Sequence, residues 1–166
     1  MNPIKMLWIT LVLCCQFCLA QSRGSRVTPS GETRVSAVLG KIKAEATFRT
    51  STVQISGTEE KNRRFAQCTY SRIPCSLTEQ VRVLIDGNEV FIPRSAYADL
   101  GDITSAEFAT TDNQVTLTIR GGDASESYVA KLLFGKDGLA ERRLYSGEDD
   151  QHPLQVTHYY QVSTAD

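Results

Sequence analysis

Alternating strand segments separated by turn residues constrain the fold of this chain more than any other feature of the sequence. The clearest unit lies at 81–92, where two β-rich runs flank Asp86-Gly87-Asn88. Asp-Gly and Gly-Asn readily adopt the positive φ angles that a tight reversal needs. Further strands are predicted at 106–110, 115–120, 128–134, 139–145 and 154–162. The spacing predicts an all-β antiparallel meander, packed as a sandwich or closed as a barrel of about seven to nine strands.

Residues 35–49 fit two periodicities. Alternation at 40–49 places Ile42, Ala46 and Phe48 on one face, which predicts a half-buried strand. A helical alternative uses Val35, Leu39, Ile42 and Ala46. The strand is the preferred interpretation. Because the apolar phase reverses at 53–55, a turn or bulge is predicted near 50–52.

The first twenty residues resemble a secretory signal peptide. Lys5 supplies the positive start, an apolar run follows at 6–13, and a small-residue cleavage site ends at Ala20. A membrane-spanning helix is the alternative, but it needs roughly 18 to 20 apolar residues without interruption. The bulky Leu13 precedes Cys14 and the bulky Phe17 precedes Cys18, which argues against lipid anchoring. We therefore predict export, to the periplasm or the medium, with no stable membrane anchor after cleavage.

The remaining chain is predicted to form one domain. Residues 21–33 are rich in Ser, Gly, Thr and Pro and contain one apolar residue, Val27, so they are expected to be a flexible lead-in. Residues 34–166 are long enough for a single β domain with a real core.

Cysteine usage agrees with export. Three of the five cysteines lie in the predicted leader, which leaves Cys68 and Cys75. An even number in an oxidising compartment predicts one structural disulfide. A redox pair and a metal thiolate site are the alternatives, but the spacing matches neither a two-residue redox motif nor a four-ligand zinc set.

The charge balance argues against nucleic acid as a partner. The chain carries 18 Lys and Arg residues against 19 Asp and Glu residues, a net charge of −1, and Lys5 would leave with the leader. A polyanion surface normally requires a basic excess. The only basic pairs, Arg63-Arg64 and Arg142-Arg143, are predicted to lie on solvated faces.

No motif predicts a catalytic residue, a metal site or a cofactor. The two histidines are His152, next to the acidic run at 148–150, and His158, which shares a strand face with Leu154 and Val156. We interpret the first as part of a solvated loop and the second as lying on or beside the core. The sequence contains no Gly-x-Ser-x-Gly elbow and no phosphate-binding loop.

The segment 93–102 is the first candidate for a partner surface. It follows the predicted hairpin, and one short helical turn is expected near 95–100, with Ser95 as its N-cap. Loops held on a rigid β frame commonly carry binding residues. The predicted binding residues are Arg94, Tyr97, Asp99 and Asp102. The alternative makes the acids turn formers and Tyr97 a core residue that packs the turn onto the sheet.

The stretch Val83-Leu-Ile-Asp-Gly87, the run from Ile92 to Leu100 and the later Gly121 to Val129 resemble small exported bacterial proteins of uncharacterised function. The resemblance covers roughly residues 80–162. It implies a bacterial envelope setting and a short β domain, and it implies no activity, cofactor or functional residue. The expected function is that of an exported binding or envelope-associated protein, such as an inhibitor or protective partner of another protein. A small hydrolase and a structural accessory without a discrete site are the alternatives.

Overall fold

The computed structural model describes residues 24–53, 68, 74–111 and 114–160. Within them the chain forms ten strands and two short 3₁₀ turns, at Arg94–Ala96 and Ala124–Glu126. The strands are β1 (Ser25–Arg26), β2 (Gly31–Leu39), β3 (Ile42–Val53), β4 (Cys75–Ile85), β5 (Asn88–Val90), β6 (Ile103–Thr111), β7 (Gln114–Gly121), β8 (Tyr128–Gly135), β9 (Gly138–Ser146) and β10 (Gln155–His158). The predicted leader at 1–20 lies outside the described residues.

The strands form two antiparallel sheets, which confirms the all-β prediction and identifies a sandwich. The larger sheet has the order β1-β6-β7-β8-β9-β10, and the smaller has the order β2-β3-β4-β5. The count is ten rather than seven to nine, since β1 and β2 were not anticipated. No helix in the described part of the chain is long and apolar enough to cross a membrane.

The ambiguous segment at 35–49 is a hairpin. Strand β2 pairs with β3 so that Val35 lies opposite Ala46 and Leu39 lies opposite Ile42. The spacing that imitates a helix therefore arises from cross-strand partners on one face of the sheet. The register shifts between Arg49 and Thr50, which confirms the predicted bulge.

The predicted hairpin at 81–92 is confirmed as β4 and β5. Asp86 and Gly87 both have positive φ angles, of 50° and 81°, as a two-residue reversal of this hand requires. The Asp86 carboxylate also accepts a hydrogen bond of 2.8 Å from the Lys43 backbone N–H. This bond ties the reversal to β3.

Apolar side chains from both sheets fill the space between them. Phe48 and Val83 come from the smaller sheet, and Leu117, Ile119 and Leu132 come from the larger one; all are almost fully buried. Burying a side chain of this size contributes about 1.5 to 3 kcal/mol. The apolar residues that alternate along each strand therefore form the core between the two sheets.

The lead-in prediction requires correction for the residues that the structure describes. Strand β1 pairs with β6, and Val27 is buried in the core. The Pro29 carbonyl accepts a hydrogen bond of 2.7 Å from the Ser76 hydroxyl, and the Thr28 carbonyl accepts one of 2.8 Å from Thr50. Composition indicated flexibility because the segment has one apolar residue to bury; in the structure that residue enters the core, and hydroxyls of the smaller sheet bond to the carbonyls of Thr28 and Pro29.

Cys68 and Cys75 lie at disulfide distance, with Cα atoms 5.7 Å apart. Cys75 is the first residue of β4 and is buried. The geometry agrees with the predicted pairing. The pair connects Cys68 to the first residue of β4 in the smaller sheet.

Candidate functional site

Residues 93–102 connect the two sheets. The short turn at 95–100 was predicted; the structure starts it at Arg94, after Pro93, with no side-chain cap, so Ser95 is not its N-cap. Backbone bonds from Ala96 to Pro93 and from Leu100 to Tyr97, of 2.9 and 3.0 Å, hold the turn together. The segment then enters β6.

The four predicted binding residues divide into two pairs. Arg94 is exposed, and the Asp99 side chain is 47% exposed. Tyr97 and Asp102 are each 8% exposed, and Tyr97 belongs to the core cluster. Only Arg94 and Asp99 are therefore available to a partner. Tyr97 takes the alternative role, as a core residue beneath the turn.

Asp102 joins the turn to the smaller sheet. Its Oδ1 accepts a hydrogen bond of 2.8 Å from the Ser76 backbone N–H, and its own N–H donates to the Ser76 carbonyl at 2.8 Å. The neighbouring Gly101 forms an isolated antiparallel bridge with Leu77. The Thr78 hydroxyl donates to the Leu100 carbonyl. These contacts give Asp102 a structural role at the junction of the sheets.

Tyr128 joins the same segment to the larger sheet. Its hydroxyl donates a hydrogen bond of 2.8 Å to the Gly101 carbonyl. Burial, with the carboxylates of Asp99 and Asp102 nearby, raises the pKa of the phenol far above its usual range. The phenol is therefore a neutral donor throughout the physiological pH range.

Arg142 forms an ion pair with Asp99 from the inner face of β9. The Arg142 Nη2 lies 2.6 Å from the Asp99 Oδ2, and its Nη1 donates to the Gln155 Oε1 at 3.3 Å. Only 3% of the Arg142 side chain is exposed, and its Nε has no partner among the described residues. An ion pair with one buried member is tightly held, because the buried charge has no water to replace its partner.

The prediction that Arg142-Arg143 lies on a solvated face is wrong for Arg142. On β9 this residue lies opposite the buried Leu132, on the face that points into the sandwich. Its partner Arg143 points outward and pairs with Glu141. Strand alternation predicts the inward position, because Arg142 lies two residues before the partly buried Leu144 and so shares its face of β9.

A groove opens between the turn at 93–102 and the end of the larger sheet. Its volume is about 270 Å³. Leucines supply an apolar lining, and carboxylates and serines stand around it, among them Asp99, Leu100, Glu126, Ser127, Leu144 and Leu154. We call it the acidic groove. The Gly147 N–H donates to the Ser127 carbonyl at 2.8 Å, which holds the exposed acidic run 148–150 beside it.

Two other grooves, of about 490 and 680 Å³, lie elsewhere. The first is lined by residues of β2 and β3 with Leu84 and Gly87, and the second by residues 26–34 without 27 and 31. Neither contains a predicted binding residue. The acidic groove is therefore the candidate site, because the predicted binding residue Asp99 lines it and is held by the buried Arg142.

Both histidines lie on the surface beside a carboxylate. The His152 Nδ1 is 2.9 Å from the Asp149 Oδ2, and the His158 Nδ1 is 3.2 Å from the Glu141 Oε2. Hydrogen bonds from the Gln151 backbone and from His152 lower the pKa of Asp149. His158 does share a face with Val156, as expected, but that face is exposed and not beside the core. Neither histidine lines the acidic groove.

The described residues contain no group of three or more His, Cys, Asp or Glu side chains arranged to hold a metal ion. Comparison of the chain with protein-family models, with curated proteins and with solved structures finds no match.

Proposed function

We propose that the protein is an exported β-sandwich that binds another extracellular or envelope protein through the acidic groove. The apolar run at 6–13 and the cysteine pair favour export. The observation that carries binding is the groove itself, which combines an apolar lining with carboxylates on a rigid frame. Pockets of this composition orient a ligand through a few polar groups and hold it by apolar contact.

The partner segment is expected to be basic. Asp99 and Glu126 stand on the groove, and the acidic run 148–150 lies beside it. Arg142 offsets one of these charges, since it pairs with Asp99. The remaining carboxylates favour a Lys or Arg side chain flanked by apolar residues, with the cation at the rim and the apolar groups against the leucines.

Reversible binding is favoured over hydrolysis. A hydrolytic centre requires a nucleophile or an activated water within reach of a base. Histidine is the side chain that most often serves as the base, and both histidines lie outside the acidic groove, on an exposed strand and an exposed loop. An inhibitor or protective partner needs only the surface complementarity that the groove provides.

The test is capture from an envelope extract with the mature domain as bait, followed by affinity measurement on the captured protein. Glu126→Lys should weaken binding on the order of tenfold, because it places a like charge against a basic segment. Asp137→Lys is the matched control: it makes the same charge change in the exposed turn at the opposite end of β8. Added salt should weaken binding of the wild type.

The proposal is wrong if no protein is captured specifically, which would favour a structural accessory. It is also wrong if Glu126→Lys and Asp137→Lys reduce affinity equally. That result would indicate a general charge effect without a contribution from the groove.

A further inference from the structure

Strand β10 is the least protected edge of the sandwich. The two sheets end in β1, β10, β2 and β5, and among the described residues β10 pairs only with β9. The other three edge strands contain charged residues, at Arg26 in β1, at Glu32 and Arg34 in β2 and at Glu89 in β5. The sequence of β10, Gln-Val-Thr-His, contains no Asp, Glu, Lys or Arg. Charged residues are a usual device that prevents an edge strand from pairing with another chain.

Exposed apolar side chains concentrate on this edge. In the described part of the chain five large apolar side chains are exposed, and three of them lie within 154–160. Leu154, Val156 and Tyr160 are 72%, 44% and 86% exposed. Val156 and Tyr160 occupy positions on either side of His158 at the strand period and share its face, whereas Leu154 precedes β10 and donates its N–H to the Leu144 carbonyl at 2.7 Å. An uncharged edge with an apolar row is a surface suited to strand pairing.

The free backbone groups of β10 can be assigned from its pairing with β9. The Tyr159 N–H donates to the Ala140 carbonyl at 2.9 Å, so Tyr159 and Thr157 direct their backbone groups toward β9. In an antiparallel pair these directions alternate along the strand. The N–H and C=O groups of Val156 and His158 therefore point away from the sheet.

We infer that β10 pairs with β10 of a second copy of this chain, antiparallel, about a two-fold axis at Thr157. In this register Val156 lies opposite His158 of the second copy, and the reverse pair is equivalent. These are the residues whose backbone groups face outward, so each pair exchanges both of its hydrogen bonds.

Charge and symmetry favour a second copy in this orientation. The acidic run 148–150 precedes Leu154 in the chain, so a two-fold antiparallel arrangement places the two runs at opposite ends of the paired strands. Parallel pairing would bring them together.

An isologous contact also needs only one self-complementary surface, and it closes as a dimer without further growth. One strand pair buries less than the roughly 1,200 Å² of a standard interface, so the dimer should depend on protein concentration. This inference does not depend on the partner proposed above, and the two surfaces share only Leu154 among the residues named here.

Disulfide trapping tests the register. In the inferred dimer the two Thr157 Cα atoms are about 4.5 Å apart, within the range that a disulfide spans. Thr157→Cys should therefore convert to a covalent dimer of twice the mass on mild oxidation. Gln155→Cys is the matched control: it lies on the same strand face and is more exposed, but its two copies are about 13 Å apart. Random collision would crosslink the control at least as well as Thr157→Cys. Wild-type protein serves as the blank for the native cysteines.

A proline substitution tests the outward hydrogen bonds. Val156→Pro removes an N–H that faces away from β9, so the fold should be retained while the dimer is lost. Val156→Thr keeps the N–H and the branched shape and should still dimerise. Mass by light scattering over a concentration series should approach twice the monomer mass for wild type and Val156→Thr only.

Three results would overturn the inference. These are a wild-type monomer at every concentration, equal crosslinking of Thr157→Cys and Gln155→Cys, and a dimer that persists in folded Val156→Pro. Far-UV circular dichroism identifies any variant that fails to fold, and the crosslinking comparison then decides alone. Since the acidic-groove variants do not alter this strand, loss of capture and loss of dimer are separate outcomes.

Discussion

Removing the Asp99 carboxylate should leave a buried cation without its partner. Asp99→Ala deletes the acceptor that lies 2.6 Å from the Arg142 Nη2. Among the residues that the structure describes, the guanidinium then retains only the Gln155 side chain, at 3.3 Å. Since the Arg142 side chain is 3% exposed and only its Asp99 side faces the groove, water that enters the space left by the carboxylate can replace its hydrogen bond only in part.

The size of this effect follows from the unequal burial of the two side chains. An exposed ion pair contributes about 0 to 1 kcal/mol, whereas breaking a fully buried pair costs about 3 to 5 kcal/mol. Asp99 is half-exposed and Arg142 is buried, so Asp99→Ala should lower the free energy of unfolding by about 2 to 3 kcal/mol. Arg142→Met removes the buried charge and leaves Asp99 open to water. Its cost should stay below about 1 kcal/mol.

The assay is urea unfolding of the single variants and of the double variant. Far-UV circular dichroism is the appropriate probe, because the only tryptophan, Trp8, lies in the predicted leader. The double variant should be about as stable as Arg142→Met, which gives a coupling of about 2 kcal/mol in the double-mutant cycle. The reasoning fails if Asp99→Ala is as stable as wild type, or if Arg142→Met is the more damaging single change.

Four further predictions test other parts of the structure. Intact-mass analysis of protein recovered from an exporting host should show a chain that begins at Gln21; full-length protein in the membrane fraction would contradict export. Thiol titration of the denatured, unreduced mature protein should find no free thiol, and Cys68→Ser should cost about 2 to 3 kcal/mol. Tyr97→Ala should cost about 3 to 5 kcal/mol because the ring is buried, whereas Arg94→Ala should stay within about 0.5 kcal/mol; equal losses in urea unfolding would oppose this assignment. Because the folded state raises the pKa of Tyr128, stability should be complete below the phenol's unfolded pKa of about 10 and should fall as pH rises above it; unchanged alkaline dependence in Tyr128→Phe would count against this.

Local chemistry was sufficient to predict much of the fold. The reversal at Asp86-Gly87 needs positive φ angles, and these two residues provide them wherever the hairpin lies. Strand alternation likewise predicted the face that buries Phe48 and the bulge near Thr50. Such features depend on residues that are neighbours along the chain, so the sequence alone is sufficient to predict them.

The candidate site depended on contacts between distant residues. The sequence singled out the turn at 93–102, but the anchoring of Asp99 by Arg142 joins positions 43 residues apart. Likewise Tyr97 is buried because the turn packs between the sheets, which composition does not reveal. The side chain of an aromatic residue in a polar loop becomes buried only when the two sheets assemble around it.

The sequence by itself determined the strand periods and the turns, and it predicted that Cys68 pairs with Cys75, which lie at disulfide distance. Tertiary structure alone decided which strands share a sheet, why the carbonyls of residues 28 and 29 are ordered by hydroxyls of the smaller sheet, and which arginine of the 142–143 pair points inward. The physical reason is the range of the interactions. Backbone angles and side-chain alternation act between neighbours, whereas burial and the satisfaction of buried polar groups depend on segments that meet only when the two sheets close on each other.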